Sequence, residues 1–139
     1  MKKSLIISML ILSTASIAQT WNEIPISTNE KLNAIDFPSS TVGYIAGNTG
    51  TLLKSIDGGE TWNQISYAGI NQTPGSYDFQ SMEFIDESIG YITILPNMGF
   101  YKTIDGGANW NEINDPNWGS FCYRQSIYAF NENSIFVGG

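Results

Sequence analysis

The sequence predicts an all-β chain, a partial β-propeller of four-stranded antiparallel blades, and three observations predict it. A unit of about 48 residues repeats within the 139-residue chain, a period that suits propeller blades and few helical repeats. Each copy divides into four short apolar runs rich in β-branched and aromatic residues, separated by clusters of Gly, Asn, Asp, Ser and Pro. No segment after residue 18 carries the apolar period of a helix.

The chain opens with Lys2-Lys3, an apolar stretch from Leu5 to Leu12, and small residues ending Ser16-Ile17-Ala18. These are the charged, apolar and small-residue zones of a secretory signal peptide, so residues 1–18 are expected to be removed after Ala18. A retained membrane anchor needs about 18–20 apolar residues, and Ser4, Ser8, Ser13, Thr14 and Ser16 interrupt this one. The mature product, residues 19–139, is expected to be secreted or held at the cell surface with no stable membrane insertion. It carries 4 basic against 13 acidic residues, a net of −9.

Next comes Thr20-Trp21-Asn22-Glu23-Ile24, which repeats Thr61-Trp62-Asn63-Gln64-Ile65 and Asn109-Trp110-Asn111-Glu112-Ile113. It reads as a fourth strand without the first three, the kind of N-terminal strand that closes a propeller's last blade. The first full blade follows, with strands expected near 32–37, 42–47, 51–56 and 60–66. The second repeats it: AIDFPSSTVGYIAG (34–47) matches SMEFIDESIGYITI (81–94), and TLLKSIDGGETWNQIS (51–66) matches FYKTIDGGANWNEIN (100–114). SIYAFNENSIFVGG (126–139) starts a third. With two complete blades, a closing strand and the start of a third, residues 19–139 are expected to be the N-terminal part of an Asp-box β-propeller, truncated because even four blades at this period need roughly 190 residues.

Composition excludes several functions. With no His there is no Ser-His-Asp or Cys-His catalysis and no His-ligated metal, and the lone Cys122 forbids an intrachain disulfide. The negative charge excludes nucleic acid, whose binding is driven by basic side chains. No cofactor and no metal site is expected; a single carboxylate in an Asp-Gly-Gly turn falls short of the oxygen set of a calcium loop.

Ser55-Ile56-Asp57-Gly58-Gly59-Glu60-Thr61-Trp62 and Thr103-Ile104-Asp105-Gly106-Gly107-Ala108-Asn109-Trp110 resemble the Asp-box, or BNR repeat, S-x-D-x-G-x-T-W. The second copy departs in having Thr for Ser and Asn for Thr. An Asp before Gly-Gly suits a hairpin in which the carboxylate accepts backbone N–H groups, the glycines take positive φ, and the Trp fills the space between sheets. Asp57, Gly58, Gly59, Trp62, Asp105, Gly106, Gly107 and Trp110 are therefore read as structural. The longer pattern G-Y-I-A-G-x-x-G-T-L-L-K-S-x-D-G-G-x-T-W at 43–62 is similar to the propeller family of photosystem II assembly and stability factors and its exported bacterial relatives. That resemblance implies a scaffold that binds another protein, with the Asp-boxes on the face away from the binding site. A sialidase grips its sugar with three arginines, and Arg124 is the only one here.

Candidate chemistry is sparse. Asp36 and Glu83 stand at equivalent positions on successive first strands, on the order of 10 Å apart if both point to the channel, near the carboxylate spacing of an inverting glycosidase; solvated or backbone-bound carboxylates are the simpler reading. The repeats differ most in the links 67–78 and 115–125, which hold Tyr67, Tyr77, Trp118, Phe121 and Tyr123, and the turn 95–99 is expected on the same face. Loops on a rigid sheet concentrate binding residues. Trp118, Tyr123, Tyr77 and Tyr67 are the candidate ligand-binding residues, with Trp118 the anchor. The expected function is an exported non-enzymatic binding or scaffold module for a protein or glycan partner; the alternative is a fragment of a propeller glycoside hydrolase.

Overall fold

The computed structural model describes residues 22–73, 75–96, 99–114 and 124–139. Sheet 1 is β1 (Leu32–Asp36), β2 (Gly43–Gly47), β3 (Leu52–Ser55) and β4 (Asn63–Gln64), and sheet 2 is β5 (Asp78–Phe84), β6 (Gly90–Leu95), β7 (Phe100–Thr103) and β8 (Asn111–Glu112). Sheet 3 pairs β9 (Ser126–Asn131) with β10 (Ser134–Gly138). Every ladder is antiparallel and every strand pairs with its neighbour in sequence, so the fold is a run of four-stranded meanders, a partial propeller.

Alternation along each strand decides where the core lies, because successive side chains point to opposite faces of a sheet. Tyr44, Ala46 and Leu52 face sheet 2 and join Met82, Phe84, Ile92, Tyr101 and Trp110 in one buried cluster. Their sequence neighbours Ile45 and Leu53 turn the other way, to Trp62 and Ile26. In sheet 2 the same alternation sends Tyr91 and Phe100 toward Ile127, Ala129, Ile135 and Val137 of sheet 3. Across the sheets Tyr44 stacks on Phe84, ring centres 3.8 Å apart and planes 3° from parallel.

Phe84 reaches that position because its cross-strand partner is Gly90. A Cβ on Gly90 would lie 2.5 Å from the Phe84 ring, and one on Gly43 would lie 2.5 Å from Phe37, its counterpart in sheet 1. In sheet 3 the equivalent cross-strand pair is Ala129 with Ile135, so the bulk has moved from one strand to the other.

One expectation changes. The fourth strands are two residues long, and Trp62 and Trp110 precede them rather than lying within them. Asn22–Ile24, the described end of the expected closing strand, forms no ladder. In sheets 1 and 2 the matching residues pair with a third strand, and sheet 3 has two strands among the described residues. Asn22, Ile24 and Ile26 lie beside Trp62 on the face of sheet 1 turned away from sheet 2.

Candidate functional site

The two ends of the meanders have different chemistry. At one end sit the Asp-Gly-Gly hairpins. Asp57 accepts the Ser55 hydroxyl at 2.7 Å and the Thr61 N–H at 2.9 Å on Oδ1, and the Thr61 hydroxyl at 2.5 Å on Oδ2. Asp105 accepts from Thr103, from the Asn109 N–H and from the Asn109 amide at 2.8–2.9 Å, so the two departures of the second copy preserve the network. Gly58, Gly59, Gly106 and Gly107 all have φ between 69° and 91°, the left-handed region. Trp62 and Trp110 each donate the indole N–H to the carbonyl of the second glycine, Gly59 and Gly107. The Gly58 and Gly106 amides bond Thr41 and Ser88 in the β1–β2 and β5–β6 turns, which places those turns at the same end.

The hydrogen bonds hold both carboxyl groups low. Asp57 falls from 3.8 to about 2, the Thr61 hydroxyl being the largest cause, then the Thr61 amide and Ser55, against a small opposing effect of burial. Asp105 is lowered for the same reasons, Asn109 first. A depressed carboxylate stabilises the fold above its unfolded value and loses that contribution as pH falls through its folded value. The melting temperature is therefore expected to drop between pH 3.8 and about 2, and Asp57→Asn should flatten that drop while lowering stability at neutral pH. Parallel curves for the two proteins would refute the assignment. Glu83 acts in the opposite sense: burial, then the nearby Asp36, push its pKa up, so protonation relieves it.

Asp36 itself is committed to structure. Its Oδ2 accepts the Phe84 N–H at 2.6 Å, tying β1 to β5, and its Oδ1 accepts the Phe37 N–H at 2.8 Å. With both oxygens occupied by backbone amides, this carboxylate is poorly placed to serve as a general base. Among the described residues no three His, Cys, Asp or Glu side chains gather as metal ligands.

The opposite end carries the link 65–78 and the β2–β3 turn, which together form an open groove of about 540 Å³. The Thr49 N–H bonds the Asp78 carboxylate at 2.9 Å, and Asn33 bridges Asn48 and the Phe79 carbonyl. Tyr67 donates to the Gly50 carbonyl at 2.7 Å and meets the Tyr77 hydroxyl at 2.7 Å. Burial, then the Tyr77 hydroxyl, pushes the Tyr67 phenol well above its ordinary range, so it stays neutral. The Tyr77 ring is buried, 3% exposed, against Phe79, and the half-buried Tyr67 packs on the same ring. Both aromatics line the groove, their hydroxyls joined to each other. Leu95, paired with Asp78, puts the start of the 95–99 turn at this end too. Trp118, Tyr123, Phe121 and Cys122 lie outside the described residues.

Two residues here escaped the sequence reading. Thr49 adopts φ 53°, ψ 27°, rare for a β-branched residue. Gly69, at φ 89°, brings the link so close to sheet 2 that Ala68 and Asn109 form a parallel bridge, with Ala68 N–H to the Ala108 carbonyl and Trp110 N–H to the Ala68 carbonyl both at 2.9 Å.

No curated protein matches the chain. Among solved structures it is similar to "YCF48 bound to D1 peptide", 27% identical with a TM-score of 0.70 over 86% of this chain. It is also similar to YCF48 from Cyanidioschyzon merolae, 24% identical with a TM-score of 0.73 over 86% of this chain. It spans 39% and 37% of the length of those two chains. Residues 13–118 match the family described as photosynthesis system II assembly factor YCF48, PSII_BNR, so the repeats, the sheets and the match agree that this chain belongs to that family of BNR-type β-propellers.

Proposed function

We propose that the chain is an exported, non-enzymatic binding module whose link face holds an extended, uncharged segment of a partner protein. The observation that carries this reading is Thr49. It forms part of the groove wall in a strained conformation that the Asp78 carboxylate maintains, and backbone strain of this kind collects at ligand sites. None of the residues lining the groove is charged, which favours a neutral peptide over an acidic glycan such as a sialoside. The relative bound to a D1 peptide supports a protein partner. Trp118 and Tyr123 lie in 115–125, the stretch of sequence that corresponds to 67–78, and the proposal counts them as further binding residues.

The test uses a displayed library of linear peptides, with the D1 peptide as first probe, beside a glycan array. The chain should select peptides, Ser66→Arg should abolish the selection by filling the groove from an exposed position, and Trp118→Ala should weaken it. Thr49→Gly should stabilise the fold by about 1–2 kcal/mol, the strain of a left-handed L residue, yet weaken the peptides. Selection of glycans alone, or peptides retained by Ser66→Arg, would refute the reading. Export is tested separately: mass spectrometry of the exported product should find Gln19 as its first residue, and an intact Met1 end would refute cleavage.

A further inference from the structure

Main-chain groups as well as side chains face the groove. Lys54 pairs with Asn63 and Leu53 with Gln64, and the Ile65 N–H reaches the Leu52 carbonyl at 3.0 Å. Successive residues of an antiparallel edge strand aim their N–H and C=O groups alternately at the neighbouring strand and away from it. Asn63 and Ile65 are therefore spent on β3, and Gln64 and Ser66 aim theirs outward. Both are exposed, both line the groove, and among the described residues neither has a main-chain partner on that side. Beyond them the edge ends, because Ala68 crosses to sheet 2 and bridges Asn109.

Sheet 2 builds the same edge and guards it. The Ile113 N–H reaches the Phe100 carbonyl at 2.8 Å, which leaves Glu112 and Asn114 aimed outward. Glu112 sets a charge on that edge, and Asp115-Pro116 follow it; charge and proline are the usual means by which an edge strand is kept from pairing. Residues 61–70, along the edge of sheet 1, contain neither. The side chains beside this open edge differ by face: Ile65 and Ile70 pack toward the cluster between sheets 1 and 2, while Gln64 and Ser66 are exposed.

On the footing of the peptide groove proposed above, we infer that the partner segment docks by strand addition, as a further strand beyond β4 along Gln64–Ser66. Its main chain meets the outward N–H and C=O groups of these two residues, so affinity comes from backbone and sequence is read only through alternate side chains. One set of those side chains falls beside Ile65 and Ile70, the other beside Gln64 and Ser66. The segment that fits is extended, uncharged and apolar at every second position.

Peptides selected from the displayed library are resynthesised with one N-methyl amide at a time and titrated against the chain. N-methylation should weaken binding at alternate residues of the bound stretch, roughly tenfold at each, the loss of one main-chain bond with its carbonyl left unpaired, and the residues between should tolerate it. Ser66→Pro removes an outward N–H and keeps the Ile65 bond to β3, so it should weaken the same peptides roughly tenfold. Asn114→Pro, the matching change on the edge of sheet 2, should leave them bound as before. Circular dichroism checks folding, and if Ser66→Pro does not fold, amide exchange of Gln64 and Ser66 in the parent chain, slowed by the selected peptides, takes its place. Selected peptides whose N-methyl scan shows no alternation, a folded Ser66→Pro that binds as the parent does, or amides that the peptides do not protect overturn strand addition and leave the peptide groove standing. A chain that selects no peptide overturns both. If Ser66→Pro turns a parent dimer into single chains, the edge belongs to a second copy and the inference falls.

Discussion

Trp110→Ala is expected to cost about 3–5 kcal/mol, the range for removing a fully buried large aromatic and leaving a cavity. Trp110 is 1% exposed and enclosed from both sides, by Phe84 of its own sheet and by the residues of sheet 1 in the same cluster. The matching change in the first hairpin, Trp62→Ala, should cost about 1.5–3 kcal/mol, the transfer of the ring alone. Among the described residues Trp62 packs with Ile45, Leu53 and Ile26 on a face that no second sheet covers, and there its removal leaves an open space rather than a closed cavity. Urea titrations of the two variants compare one side chain in one motif under two coverings. Equal losses would mean that the hairpin, rather than the packing between sheets, sets the value of the tryptophan.

Gly69→Ala should be nearly as damaging, through a different cause. At φ 89° an L residue is in the left-handed region, a strain of about 1–2 kcal/mol. A Cβ at this position would also run into the Trp110 carbonyl oxygen, backbone that cannot turn aside; forcing an extra carbon into packed structure adds about 1–3 kcal/mol. Gly75 supplies the control, with φ 83° and nothing within 4 Å of its added Cβ. Gly75→Ala should show the conformational part alone, and the difference between the two variants measures the collision. If both variants cost the same, the parallel bridge between Ala68 and Asn109 is looser than the structure has it. Because the bridge fixes the link over the groove, Gly69→Ala should also weaken peptide binding.

The architecture was legible because it rests on local signals that recur. The Asp-Gly-Gly-x-x-Trp hairpins announce themselves twice, and the apolar runs fall within a residue or two of β1 to β3. The shortness of β4 and β8 was not legible, since Trp62 and Trp110 look like strand residues until their indole N–H groups are seen to belong to the turn. The groove was half legible. Its loop was picked out by length and aromatic content, but Tyr77 reads as an exposed ring, and only the structure shows it buried against Phe79 with its hydroxyl bonded to Tyr67. Thr49 gave no sequence signal, because a strained threonine is set by Asp78, 29 residues away. Gly69 looks like one loop glycine among several; its importance comes from a neighbouring sheet.

The trade between Phe84–Gly90 and Ala129–Ile135 bears on how such repeats diversify. A column-by-column alignment of the repeats records two unrelated changes, an aromatic lost and a glycine lost, each harmful alone. In space they are a single event, because the bulk taken from one strand reappears on the strand hydrogen-bonded to it. The unit that can be duplicated or recombined without damage is therefore the cross-strand couple together with the ring that receives it, and a crossover falling between β5 and β6 would set Phe84 against an isoleucine or Ala129 against a glycine. Intact repeats should consequently bear the scars of exchange at their links, where sheets join, and seldom inside a meander.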